Sequence, residues 1–169
     1  MNITDKQISA MIADYIAKGY GEKVKRRAWK GQYIRGHAPW NNSEDCYHRW
    51  LEIINEQEAT LSCLTLFEAL YEAVAALKID GIGDLTIYDT ATMIGCPINV
   101  YPEVVYLHAG TADGAKALGI LGKTATKEQF IEVCDAFDML EPIQIEDFLC
   151  IYKKQLAGET DAAPHGYCC

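Results

Sequence analysis

No stretch of this 169-residue chain approaches the roughly 20 consecutive apolar residues needed to cross a bilayer. The opening Met1-Asn2-Ile3-Thr4-Asp5 has neither the basic nor the apolar region of a signal peptide. A cytoplasmic protein with no membrane partner is therefore expected. Also missing are a phosphate-binding loop ending in Lys-Ser/Thr, a nucleophile elbow and a dinucleotide fingerprint. Their absence removes the usual motif grounds for nucleotide hydrolysis, serine-dependent acyl transfer and nicotinamide chemistry, and no cofactor is expected. The seven cysteines are odd in number and lie mostly in apolar helical patterns rather than in short paired spacings. They read as reduced core residues rather than a disulfide framework. Positive charge is scarce as well: 15 Lys and Arg face 24 Asp and Glu, for a net charge of −9. That balance argues against a general nucleic-acid coat protein, because phosphate neutralisation needs cations.

Half of the residues are hydrophobic, enough for one good core in a chain too short for two full-sized domains. The reading is all-α: a single helical domain over residues 1–157 and a flexible tail over 158–169. Thr4-Asp-Lys-Gln7 fits a capping box, followed by Ile8, Met11, Ile12, Tyr15 and Ile16 at helical spacing as far as Gly19 and Gly21. A second helix is expected from Glu44 to about Glu56. Thr65-Leu-Phe-Glu68 looks like another capping box, opening a helix whose stripe is Leu66, Leu70, Tyr71, Val74 and Leu77. A helix over Leu85 to Ile94 stops at Gly95 and Pro97. Tyr101 to His108 reads as the start of another helix, Thr111 to Gly119 as a short one, and Thr126-Lys-Glu-Gln129 as a third capping box. Pro142 opens the last helix, with Ile145, Phe148, Leu149 and Tyr152 inward and Lys153 and Lys154 at its C-terminal end. No convincing strand and no internal repeat appears.

The most informative segment is Leu77-Lys-Ile-Asp-Gly-Ile-Gly-Asp-Leu-Thr-Ile, where an apolar helix meets Gly81-Ile82-Gly83 and a second helix follows. Two glycines one residue apart permit a tight turn and leave backbone N–H groups uncovered at the next helix start, where a phosphate oxygen can be held. Such a hairpin is a purely structural helix–helix turn, a nucleic-acid contact or a site for another anionic ligand. Charge is distributed unevenly too. Glu22 to Arg35 carries six cations, Lys23, Lys25, Arg26, Arg27, Lys30 and Arg35, against the single acid Glu22. Such a segment is either a solvated basic element making internal ion pairs or a nucleic-acid footprint. Trp29, Tyr33 and Trp40 lie in or near it, and Trp29 or Trp40 is available to stack a base or to cover the core.

The segment over residues 66–95 resembles the helix-hairpin-helix DNA glycosylases and their small bacterial or phage-type relatives. Leu77, Ile79, Gly81, Ile82, Gly83, Ile87, Ala91 and Ile94 carry the resemblance. It implies that the backbone amides of Gly81, Ile82 and Gly83 grip a phosphate. Tyr106 to Ile120 resembles the family's second element, a loop presenting a catalytic aspartate before a helix ending in Leu-Gly. Counting back from Leu118-Gly119, His108 occupies that aspartate's position, and Asp113 falls inside the helix. Neutral imidazole cannot stabilise the cation that grows as a glycosidic bond breaks. Asp84 also stands where the family commonly offers a cation, and no cysteine quartet matches its iron–sulfur cluster.

The expected function is thus a non-catalytic DNA- or RNA-backbone binder. Gly81, Ile82 and Gly83 supply amides and Lys78 a phosphate contact. Lys25, Arg26, Arg27 and Lys30 supply a second backbone contact, with Trp29 for stacking. One alternative is a protein-interaction module whose acidic surface, with Glu128, Glu132, Asp135, Asp138, Glu141, Glu146 and Asp147, docks on a basic partner or imitates nucleic acid. Another is a nucleoside- or base-directed enzyme around His108 and Asp113. Cys46-Tyr-His48 with His37 offers soft metal ligands, yet the second paired element of a zinc site is missing, and no metal is expected. Cys168-Cys169 ends a flexible tail whose exposed thiols can oxidise.

Overall fold

A computed structural model of the protein describes residues 3–30 and 44–159. His37, Tyr33, Arg35, Trp40 and the Cys168-Cys169 tail lie outside the described residues. The fold is all-α. Its helices are α1 (Asp5–Ala17), α2 (Tyr20–Lys25), α3 (Glu44–Leu61), α4 (Phe67–Ala76), α5 (Asp84–Gly95), α6 (Ala109–Ala117), α7 (Lys127–Val133) and α8 (Pro142–Leu156). Short 3₁₀ turns follow α5 and α7. Among the described residues, no helix is long and apolar enough to cross a membrane.

Two of the three capping boxes form. Thr4 and Gln7 close α1, Thr126 and Gln129 close α7, and each side chain satisfies the other residue's backbone N–H. The Thr65 box does not. Leu66 is the N-cap of α4, with no side-chain cap, because the helix starts one residue later than Thr65 requires. Two further expectations are corrected. α3 runs five residues past Glu56, to Leu61. Tyr101 to His108 is not helical: Val105–Tyr106 is β1, paired antiparallel with β2, Thr124–Ala125. The β-branched pair Val104-Val105 between Pro102 and Tyr106 favours a pleated, half-buried ribbon over a helix.

The described residues cluster into two compact units, Met1–Lys25 with Glu103–Cys169, and Arg26–Pro102. The first is organised around α8. Ile145, Phe148, Leu149, Tyr152 and Leu156 are buried there, as the 3.6-residue period requires. The Phe148 ring meets Tyr15 edge-on at 5.8 Å and Phe137 at 5.6 Å, and stacks on Tyr152 at 4.9 Å. Each such pair adds about 0.5–1.5 kcal/mol to the burial itself. α6 lies directly against α8, and the absence of a Cβ at Gly114 permits the approach: a Cβ there would sit 2.6 Å from the Leu149 carbonyl oxygen. Ile16, expected on the inner face of α1, is 47% exposed.

α1 is also fastened to α8 by polar groups. The Lys18 ammonium donates to Asp14 Oδ2 at 2.7 Å and the Tyr152 hydroxyl donates to the same oxygen at 2.5 Å. The Lys18 bond, then that of Tyr152, holds the Asp14 carboxyl below its ordinary 3.8. Burial, then Asp14, pushes the Tyr152 hydroxyl up. A carboxyl lowered in the folded state stabilises the fold fully above its unfolded value and loses that contribution as pH falls through the folded value. Asp14→Asn should therefore cost about 1 kcal/mol at pH 6, a figure already discounted for solvent screening of a half-exposed pair. The difference from wild type should shrink below about pH 3. Urea titrations at pH 6 and pH 2.5 measure this, and an undiminished difference at pH 2.5 would overturn it.

The second unit packs α3, α4 and α5 around Trp50, Ile54, Phe67, Leu70, Val74, Ile82, Ile87, Tyr88 and Ile94. Phe67 and Tyr88 meet at 6.0 Å with their planes inclined at 66°. After α5, Asn99 adopts φ +58° to reverse the chain, and the Val100 amide returns to the Gly95 carbonyl at 2.9 Å.

Candidate nucleic-acid interface

The connection between α4 and α5 is built as the two glycines suggest. Ile79 to Ile82 forms a four-residue turn closed by the Ile82 amide on the Ile79 carbonyl at 3.1 Å. Its third residue, Gly81, has φ +94°, the region a type II turn demands at that position and side chains resist. Ile82 is 2% exposed and acts as the apolar plug of the turn. Its amide is committed to Ile79, which corrects the expectation that Ile82 offers an N–H outward. Gly83 then serves as N-cap of α5, with ordinary extended geometry (φ −98°, ψ 174°) and no side-chain cap. The helix ladder begins with the Ile87 amide on the Gly83 carbonyl, so the N–H groups of Asp84, Leu85 and Thr86 precede it. Lys78, Gly81, Gly83 and Asp84 are all exposed around this helix start.

α3 braces the turn. The Cys46 thiol donates to the Asp80 carbonyl at 3.2 Å, and the buried Trp50 indole donates to Thr90 Oγ1 at 3.2 Å. Thr90 in turn donates to the Thr86 carbonyl at 2.7 Å. The Cys46 bond gives this thiol a backbone role. Among the described residues, no group of three or more His, Cys, Asp or Glu is placed to hold a metal.

The basic segment divides. Lys25 ends α2 in the first unit and pairs with Glu141 at 3.0 Å. Arg26 and Lys30 are exposed. Arg27 is turned inward, its side chain 7% exposed, with Nη1 3.5 Å from Asp89 Oδ1 and 3.2 Å from Thr92 Oγ1. It is consumed by α5 and does not face solvent, which corrects its reading as a phosphate contact. Trp29 is half-buried, its amide donating to the Met93 carbonyl at 2.9 Å and its indole to Asn55 Oδ1 at 2.6 Å. The bare sequence did not single out Asp89 as Arg27's partner. Its position inside the apolar run Ile87-Tyr88-Asp89-Thr90-Ala91 was the available signal, since a carboxylate there must be paired.

His108 and Asp113 do not form a pair. His108 is the half-buried N-cap of α6, while Asp113 is exposed and five residues on, about 140° around the helix at 100° per residue. The strained residue is Ala109, at φ +44°. The acid facing this helix start is Glu146, 3% exposed, accepting from Thr111 Oγ1 at 2.6 Å. Its neighbour Asp147 is fully buried and accepts from the Tyr15 hydroxyl at 2.8 Å. Their charge alone places both acids in the acidic surface of the C-terminal third. They are instead internal acceptors, because their positions on α8 fall on its packed side. No protein-family model, characterised protein or solved structure matches this chain.

Proposed function

We propose that the protein binds nucleic-acid backbone through the α4–α5 connection, as a helix-hairpin-helix clamp without glycosidic chemistry. The observation that supports this most is Gly83. The fold does not need a glycine there: its φ is ordinary, and a Cβ would meet nothing within 4 Å. Ser, Asp or Asn at an N-cap would also stabilise α5 by a few tenths of a kcal/mol more. A glycine kept at an exposed, uncapped helix start suits a ligand that comes close to the backbone. First-turn amides that precede the helix ladder and carry positive partial charge, with the exposed Lys78 five residues before Gly83, suit an anion. Asp84 at the same place limits affinity, so the expected partner is a polyanion held by several weak contacts rather than a single tightly bound phosphate.

A salt-dependent binding titration with a labelled 20-base-pair DNA duplex tests the reading. Binding at 20 mM salt should weaken steeply as salt rises. Lys78→Ala should lower the slope of log K against log salt by about 1. Gly83→Ala should leave the urea midpoint within about 1 kcal/mol of wild type, or raise it, while weakening binding several-fold. A chain that binds neither duplex nor single strand at 20 mM salt overturns the proposal.

A further inference from the structure

Segment 26–30 holds exposed cations, yet its own residues are fixed at three points on the hairpin-bearing unit. Arg27 reaches Asp89 and Thr92 on α5, the Trp29 amide reaches Met93 on α5, and the Trp29 indole reaches Asn55 on α3. One of these anchors is unusual for a connecting segment. Both members of the Arg27–Asp89 pair are almost fully withdrawn from solvent, at 7% and 8% side-chain exposure, a costly arrangement to keep where an apolar contact would hold the chain as well. The residues on either side of the anchored ones, Arg26 and Lys30, remain exposed.

We infer that Arg27 is a positioning residue, and that the buried Arg27–Asp89 pair presents Arg26 and Lys30 as a second phosphate-backbone contact on the same unit as the hairpin. The inference rests on the nucleic-acid reading above. Asp89 and Met93 lie six and ten residues beyond Gly83, or about 9 and 15 Å along the axis of α5. Anchors at that distance place the segment within a few phosphates of the hairpin along one strand. Hairpin and segment would then grip the same backbone at two points. The hairpin contributes amides, whose contact releases few counterions, and the segment contributes full charges, whose contact releases about one each. A salt slope therefore separates the two contributions.

The test uses the full chain and the 20-base-pair duplex, with the binding constant measured against salt. Arg26→Ala/Lys30→Ala should weaken binding about ten-fold at 50 mM salt and reduce the slope by about 2. Arg27→Ala/Asp89→Ala leaves the net charge unchanged, yet should weaken binding several-fold and lower the slope. Adding the first pair of substitutions to it should cost little more. A merely structural role for Arg27 would change the urea midpoint and leave the slope as in wild type, and that result overturns the inference. So does wild-type binding by the Arg26/Lys30 variant. If the Arg27/Asp89 variant does not fold, Trp29→Phe removes the Asn55 anchor without altering charge. Weaker binding with a lower slope supports the inference, and unchanged binding overturns it. Failure of the underlying reading looks different: wild type itself does not bind, whereas failure of the inference alone leaves binding that responds to Gly83 and Lys78 but not to these variants.

Discussion

Asp89→Ala should destabilise the protein by about 3–5 kcal/mol, more than the double substitution Arg27→Ala/Asp89→Ala. The order is counter-intuitive, since the double variant removes more atoms, and it follows from what each leaves behind. The Arg27 guanidinium is 7% exposed, between Asp89 Oδ1 and Thr92 Oγ1. Without the carboxylate, a nearly buried positive charge loses the Asp89 oxygen it faces, or segment 26–30 must peel away to carry it into water. Thr92 cannot compensate, because its hydroxyl also donates to the Asp89 backbone carbonyl at 2.9 Å and brings no charge. Removing both members of the pair also removes that charge, and the cost is then mainly lost packing, about 1–2 kcal/mol. Urea midpoints of the two variants decide between these accounts. A single variant at least as stable as the double would mean that Arg27 does not depend on Asp89.

The parts of the architecture legible from sequence were those fixed by local chemistry. Capping boxes at Thr4 and Thr126 and the apolar stripe of α8 involve residues three or four apart, Pro142 at a first helical turn involves only its own ring, and all four form. The sequence failed where long-range pairing decides. β1 exists because Val105 and Tyr106 find Ala125 and Thr124, about twenty residues downstream, and no window around Tyr101 contains that information. Thr65 illustrates a narrower failure, a valid capping pattern displaced by one residue because Phe67 and Leu70 bury their side chains in the core.

The candidate site was legible to a similar degree. The turn itself was readable from Gly81 and Gly83, since positive φ at one and an exposed helix start at the other follow from local sequence. What could not be read was which polar groups face inward. Arg27 is indistinguishable from Arg26 in composition, and Glu146 and Asp147 from the acids around them, yet the first is paired with α5 and the other two accept from Thr111 and Tyr15. Charge patterning along a chain gives the number of ionic groups. Only the packing of the helices says which of them are spent internally and which remain to meet a partner.

Gly114→Val should cost about 3 kcal/mol, at the upper end of overpacking effects, although valine is a slightly better helix former than glycine. The cause is backbone rather than side chain. A Cβ at position 114 would lie 2.6 Å from the Leu149 carbonyl oxygen and 3.1 Å from both its carbonyl carbon and its Cβ. None of these can rotate away as a flexible side-chain end does. α6 must therefore separate from α8, and the separation reaches Thr111, three residues earlier and one turn along the same face, whose hydroxyl lies 2.6 Å from the buried Glu146 carboxylate. Lengthening that bond leaves a buried acceptor poorly satisfied, which adds to the steric cost. Asp113→Val is the internal control, the same new side chain on an exposed position of the same helix, and it should stay within about 0.5 kcal/mol of wild type. Equal urea midpoints for the two variants would show that α6 does not depend on close contact with α8. A large difference would place the stability of the first unit in a helix crossing that tolerates no side chain at position 114.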